Sequence, residues 1–133
     1  MWYYEDREIE ESDLEGFIGF VYKITNLKNN KAYIGKKLLK KTRTKKVAGK
    51  KRRKKVVTDS DWKLYYGSNE ELKNDIKELG EQSFRREILK LCKTKGSVNY
   101  WELKYQILNE VLESDSWYNS WIYVRVHKSH IRS

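Results

Sequence analysis

Residues 36–55 read KKLLKKTRTKKVAGKKRRKK, with thirteen lysines or arginines and no acidic residue. No hydrophobic core can take in such a block, and its own repulsion keeps it from folding alone. Whatever fold the chain adopts must be built from the flanking sequence, with this block carried outside it as a loop from Lys36 to about Val57. The block also accounts for the basicity: the net charge is +10, yet outside the block 16 basic residues face 19 acidic ones. Charge so concentrated implies a polyanionic partner. An anionic membrane is a poorer match, because the block offers no aromatic face to insert. A solvated, solubilising loop is the plain alternative.

At 133 residues the chain is expected to form one domain. Five Trp and ten Tyr give it the means for a compact core. No apolar run approaches the roughly 18 residues a membrane span needs. The first fifteen residues, MWYYEDREIEESDLE, carry seven acids and one arginine and lack the basic-then-apolar order of a secretory signal. They read as an acidic arm set apart from a domain over residues 16–133. Such an arm is expected to fold over the basic loop and compete with its partner, since opposite charges attract within a Debye length of about 8 Å. A solubilising tail or a partner-binding segment is the competing reading. The single cysteine, Cys92, lies in the apolar run ILKLC and reads as a buried structural thiol. One cysteine allows no internal disulfide and fits a reducing, intracellular compartment.

The chain between these features alternates between two periodicities. Residues 17–24, FIGFVYKI, are apolar, aromatic and β-branched and predict a strand; TNLKNNK supplies a turn, and AYIG returns as the partner strand. After the basic loop, TDSDWKLYYGS is irregular and rich in aromatics. Ser68 and Glu71 stand three apart, as in a capping box, and open a helix whose buried side is Leu72, Ile76 and Leu79, ending at Gly80. FRREILKLC, residues 84–92, predicts a third strand. From Ser97 to about Glu113 a longer helix is expected, with Trp101, Tyr105, Leu108 and Leu112 as its buried stripe and Glu102 at the edge of that stripe. WIYVRV, residues 121–126, is a short strand or an extended tail. This order predicts an α+β domain: a small antiparallel sheet of about three strands flanked by helices.

The hairpin carries a tyrosine on each arm, Tyr22 and Tyr33, eleven residues apart. Phe20-Val21-Tyr22 followed by Tyr33-Ile34-Gly35 resembles the paired triplets of the GIY-YIG nuclease family, with Phe20 in place of the first glycine. Arg43 stands ten residues past Tyr33, where that family has its phosphate-binding arginine. Glu102 falls on a late helix like the family's metal-binding glutamate, and Tyr118-Asn119 matches its final asparagine. The likeness covers roughly residues 17–120. It is similar in plan to a free-standing homing-type or phage-encoded member.

The resemblance implies a metal-dependent DNA endonuclease. In that reading Tyr22 takes the proton of the attacking water, Tyr33 positions the phosphate and Arg43 binds it, with Arg52 or Arg53 as substitutes for Arg43. Glu102 holds Mg²⁺ or Mn²⁺, and Asn119 completes the site. A free tyrosine has a pKa of about 10, so a cation must lower that of Tyr22, and Lys36, next to Gly35, is the candidate. Lys45, Lys46, Lys50, Lys51, Arg52, Arg53, Lys54 and Lys55 are expected to hold the DNA. No residues remain for a separate recognition domain, so specificity is expected from the basic loop, from dimerisation, or to be low. His127 and His130 fall outside the matching region, and Asp59 and Asp61 read as turn or ion-pair residues rather than metal ligands. Two other readings stay open. One is a nucleic-acid-binding module of the same fold that does not cut. The other is a basic RNA-associated protein, which leaves the ordered tyrosines and Glu102 unexplained.

Overall fold

The computed structural model describes residues 1–45, 48–49, 54–122 and 128, with the backbone alone at 43–45 and 54–55. Its strands in chain order are β1 (Trp2–Tyr4), β2 (Arg7–Glu8), β3 (Gly19–Asn26), β4 (Ala32–Leu38), β5 (Lys40–Lys45), β6 (Lys54–Asp59) and β7 (Phe84–Cys92). The helices are α1 (Glu70–Leu79) and α2 (Lys95–Leu108). The domain is α+β, as expected, but the sheet has five strands rather than three, in the order β2-β1-β7-β3-β4. It is also mixed, because β1 runs parallel to β7.

β1 corrects the reading of residues 1–15 as a detached acidic arm that covers the basic segment. Trp2 pairs with Arg86 and Tyr4 with Ile88, and β2 folds back on β1. The Trp2 side chain is 2% exposed, meets Phe20 edge-on at 4.9 Å and donates its indole N–H to the Trp62 carbonyl at 2.8 Å. Hydrophobic burial of the indole decides the path of the segment. The acids around it stay at the surface, where Arg7 forms a two-pronged pair with Asp13 at 2.8 and 2.9 Å.

The basic segment departs from expectation too. Lys36 to Leu38 continue β4, and beyond Leu39 the chain forms a separate two-stranded ribbon, with β5 and β6 paired from Lys40↔Asp59 to Lys45↔Lys54. The β-branched residues Thr42, Thr44, Val56, Val57 and Thr58 favour extended backbone. An ion pair of Lys40 with Asp59 offsets repulsion at the root. Leu39, 4% exposed, plugs that root into the core, and the Ser60 hydroxyl donates to the Leu38 carbonyl at 2.6 Å.

Both faces of the sheet are covered. Trp2, Phe20, Tyr22, Ile24 and Ile88 form the core on one face, where Leu72 of α1 packs. Val21 and Ile34 meet Trp101 and Tyr105 of α2 and the buried Val111 on the other. α1 starts one residue later than its expected cap. Asn69, not Ser68, accepts from the Leu72 N–H at 2.9 Å. α2 starts at Thr94, which caps the Ser97 N–H at 3.0 Å, and ends five residues early. Its buried row is Val98, Glu102 and Gln106, while Leu108 and Leu112 are 68% and 48% exposed. The left-handed turn at Glu110 ends the helical register and swings Val111 inward in their place. Past this turn, residues 116–119 run along the outer edge of β4, with Ala32 donating to the Ser116 carbonyl at 3.1 Å and Tyr118 donating to Ala32 at 2.7 Å. Most of WIYVRV, residues 123–126, lies outside the described residues; Ile122 packs beside Val21 and Ile34. No helix among the described residues is long and apolar enough to cross a membrane.

Candidate active site

Side chains of a strand alternate between faces, so β4 sends Tyr33 and Gly35 to the α1 side and Ile34 and Lys36 to the α2 side. Tyr22 lies directly across from Gly35 in the β3–β4 register. Its ring crosses over the glycine: a β-carbon at position 35 would stand 2.5 Å from the Tyr22 hydroxyl oxygen and 2.8 Å from Cε2 of Tyr33. The glycine of Tyr-Ile-Gly is therefore the space that lets two phenol rings converge, at 6.1 Å between centroids. Tyr65 closes over Tyr22 edge-on at 5.9 Å, and the two side chains share a hydrogen bond. Gly67, at φ +87°, turns the chain past these rings to bring Ser68 to a hydrogen bond with Tyr33.

The opposite side of the same strand edge holds the charges. Glu102, 9% exposed on α2, lies with its Oε1 4.0 Å from Nζ of Lys36, which donates to Oδ1 of Asn99 at 2.5 Å. The intervening Ile34 is clamped through its backbone. Its N–H donates to Asn119 Oδ1 at 3.1 Å, and its carbonyl accepts from Asn119 Nδ2 at 2.8 Å and Gln106 Nε2 at 3.0 Å. Asn119 thus spends both ends of its amide fixing β4. Tyr33, Lys36, Ser68, Asn69, Glu102 and Gln106 line one cavity of about 320 Å³, with Ser120 and Trp121 at its rim. Lys36 also borders a broader groove of about 790 Å³ at the ribbon root, lined by Lys37, Lys40, Lys41, Lys95 and Tyr65.

These positions can be set against known proteins. A family profile described as "Putative endonuclease segE, GIY-YIG domain" matches residues 2–122. The chain belongs to the GIY-YIG family. Over 100 residues, 75% of its length, it is 34% identical to the protein named "Putative endonuclease segE" of Enterobacteria phage T4. It spans 39% of the length of that relative. No solved structure matches it.

In this GIY-YIG domain the electrostatics run against one expectation. Lys36, expected as the cation beside Tyr22, pairs in the structure with Glu102 and Asn99. Tyr22, 1% exposed, is pushed well above the usual phenol range, first by burial and then by Tyr65, Tyr33 and the negative charge of Glu102. Tyr33 is raised as well, chiefly by burial, with its Ser68 hydrogen bond acting in the other direction. Glu102 is raised by burial, and Lys36 offsets part of that. Both shifts favour the neutral hydroxyl over the phenolate.

Arg43 pairs with Val56 through the backbone of the ribbon. Lys45, Lys54 and Lys55 are likewise placed by backbone only. Lys46, Lys50, Lys51, Arg52, Arg53, His127 and His130 lie outside the described residues. Asp59 and Asp61 pair with Lys40 and Lys37, the latter at 2.6 Å. Tyr65, Ser68 and Gln106 lie at the site although the sequence marks none of them as a site residue, Ser68 being read there only as a helix cap. For Gln106 a signal exists: it follows Glu102 by four residues, one helical turn along the same face.

Proposed function

We propose that the domain is a metal-dependent endonuclease that hydrolyses phosphodiester bonds of DNA. The observation that carries this reading is a single buried carboxylate, Glu102, sharing one cavity with a cation, Lys36, and a phenol, Tyr33. The name of the phage T4 relative, "Putative endonuclease segE", supports the same reaction class.

The donor set fits a hard divalent cation. Glu102 is desolvated, and its nearest cation among the described residues, Lys36, is 4.0 Å away, too far for a hydrogen bond. Gln106, one turn on, has a buried Oε1 without a hydrogen-bond partner. Among the described residues no three His, Cys, Asp or Glu come together, and Glu102 is the one carboxylate among the described residues lining this cavity. Mg²⁺ takes oxygen ligands, keeps several waters and needs few protein donors. When bound, such an ion supplies charge neutralisation at the phosphate and lowers the pKa of water.

The chain's own residues do the rest. Lys36 and Arg43 hold phosphate oxygens. Tyr33, fixed by Ser68, donates its hydroxyl to the phosphate, a role that suits a phenol kept neutral by burial. Tyr22 and Tyr65 form the packed wall behind it. Ionisation of Tyr22 is opposed by its burial and by the negative charge of Glu102, so neutralising the charge at Glu102 makes both phenols more acidic. The test is nicking of supercoiled plasmid in Mg²⁺, expected to proceed and to stop in EDTA. Retarded but uncut plasmid, with a folded protein, would leave a binding module and overturn the nuclease reading.

A further inference from the structure

The five tryptophans are not treated alike. Trp2 and Trp62 are 2% and 9% exposed, Trp101 and Trp117 are half-buried, and Trp121 is 79% exposed. An indole left in water forgoes a large burial gain, so its position matters. Trp121 stands at the rim of the cavity that holds Glu102, Lys36 and Tyr33. Lys36 leads from that cavity into the basic groove beside the ribbon. The surface thus runs from a lysine-lined channel to a small polar cavity and then to a bare aromatic. A basic channel next to an aromatic platform is the arrangement that holds single-stranded nucleic acid: cations follow the backbone and the ring takes a base face. Bases stacked within a duplex offer no such face. A cavity of about 320 Å³ is also on the scale of one nucleotide's phosphate and sugar, at the small end of ligand sites.

We propose that Trp121 is the stacking platform for an unpaired nucleobase next to the phosphate seated at Glu102, so that the preferred substrate is DNA with an unpaired or unstacked nucleotide at the cleavage position. This rests on the nuclease reading for the phosphate's place, while the stacking contact itself is a binding property. It is measured without cleavage, by titrating full-length protein in EDTA against a duplex carrying 2-aminopurine either in a single-nucleotide bulge or fully paired. The bulged duplex binds about tenfold tighter, within the range of one base–aromatic stack, and its fluorescence is quenched on binding. Trp121→Ala brings the two affinities within twofold and removes the quenching, whereas Trp121→Phe keeps part of both. Circular dichroism confirms the fold of each variant. Equal affinities in the wild type, or an unchanged preference in Trp121→Ala, overturns the proposal. The two readings fail separately. Preference without nicking in Mg²⁺ removes the nuclease and keeps the platform; nicking without preference or quenching does the reverse.

Discussion

The hairpin β3–β4 and the ribbon β5–β6 follow one another in the chain and share one design, two antiparallel strands with a connection at the tip. They serve opposite ends. The hairpin is covered on both faces: Phe20, Val21, Tyr22, Ile24 and Ile34 are essentially inaccessible, and Asn119 and Gln106 hold its outer edge. Among the described side chains the ribbon has one buried anchor at its root, Leu39, and Lys40, Lys41, Thr42 and Val57 lie exposed. Packing fixes atoms to within fractions of an ångström, which chemistry on a phosphate requires. Long-range attraction to a polyanion tolerates loose placement, because it depends on charge more than on contact. Under the proposed function this implies a division of labour, in which the hairpin side would place the reacting groups and the ribbon side would collect the substrate.

The sharpest way to break this comparison is at Glu102. Glu102→Gln should reduce plasmid nicking by about 10²–10³-fold, the scale of losing one preorganised electrostatic interaction, while leaving DNA affinity within about twofold. It should also stabilise the fold at neutral pH. The carboxyl holds its proton more tightly in the folded chain than in the unfolded one. Ionised Glu102 therefore costs stability above its raised folded pKa, and that cost fades as pH falls through it. Melting scans should place the variant above wild type at pH 7, with the gap narrowing as pH falls toward the ordinary carboxylate range. A constant gap would sink the electrostatic account.

Next in size is a matched pair of glycine changes. Gly35→Ala drives a methyl group into the Tyr22 and Tyr33 rings and should cost about 2–3 kcal/mol in urea unfolding. Gly49→Ala, at the ribbon tip, meets nothing within 4 Å and faces only its φ of +77°. Its cost should stay near 1 kcal/mol. Equal costs would mean that the hairpin is not the more tightly determined of the two.

The smallest effect belongs to the ribbon. Lys40→Gln with Lys41→Gln should flatten the dependence of log affinity on log salt by about 2, as expected when two phosphates are no longer neutralised. Nicking at saturating protein should be unchanged. An unaltered slope would take the ribbon root out of the binding surface.

What can be read from the sequence follows the same line. The hairpin is legible because Tyr-Ile-Gly is a local pattern, and β7 because Phe84–Cys92 is a plain β-forming run. The ribbon reads as a loop because its charge density hides the β-branched residues on its two arms. β1 escapes notice because seven acids dominate a segment whose path is set by one indole. The stripe of α2 misleads for a physical reason. The helix buries Glu102 and Gln106 against the sheet, and polar side chains on an inward row break the amphipathic pattern that locates such a row. Tyr65 and Ser68 sit in irregular chain between Trp62 and Asn69, where no period exists to mark them.

The clamp on Ile34 has a consequence in time. Its two partners, Gln106 and Asn119, lie more than 70 residues further along the chain than the strand they hold. A polypeptide emerging from the ribosome exposes both phenols and the whole lysine-rich ribbon before Glu102 has been synthesised, and its β4 edge stays unfastened until Asn119 arrives. Attraction to polyanions is thus available to the nascent chain well before the assembled cavity is, and the clamp that fixes β4 beside that cavity waits on Asn119, 85 residues after Ile34.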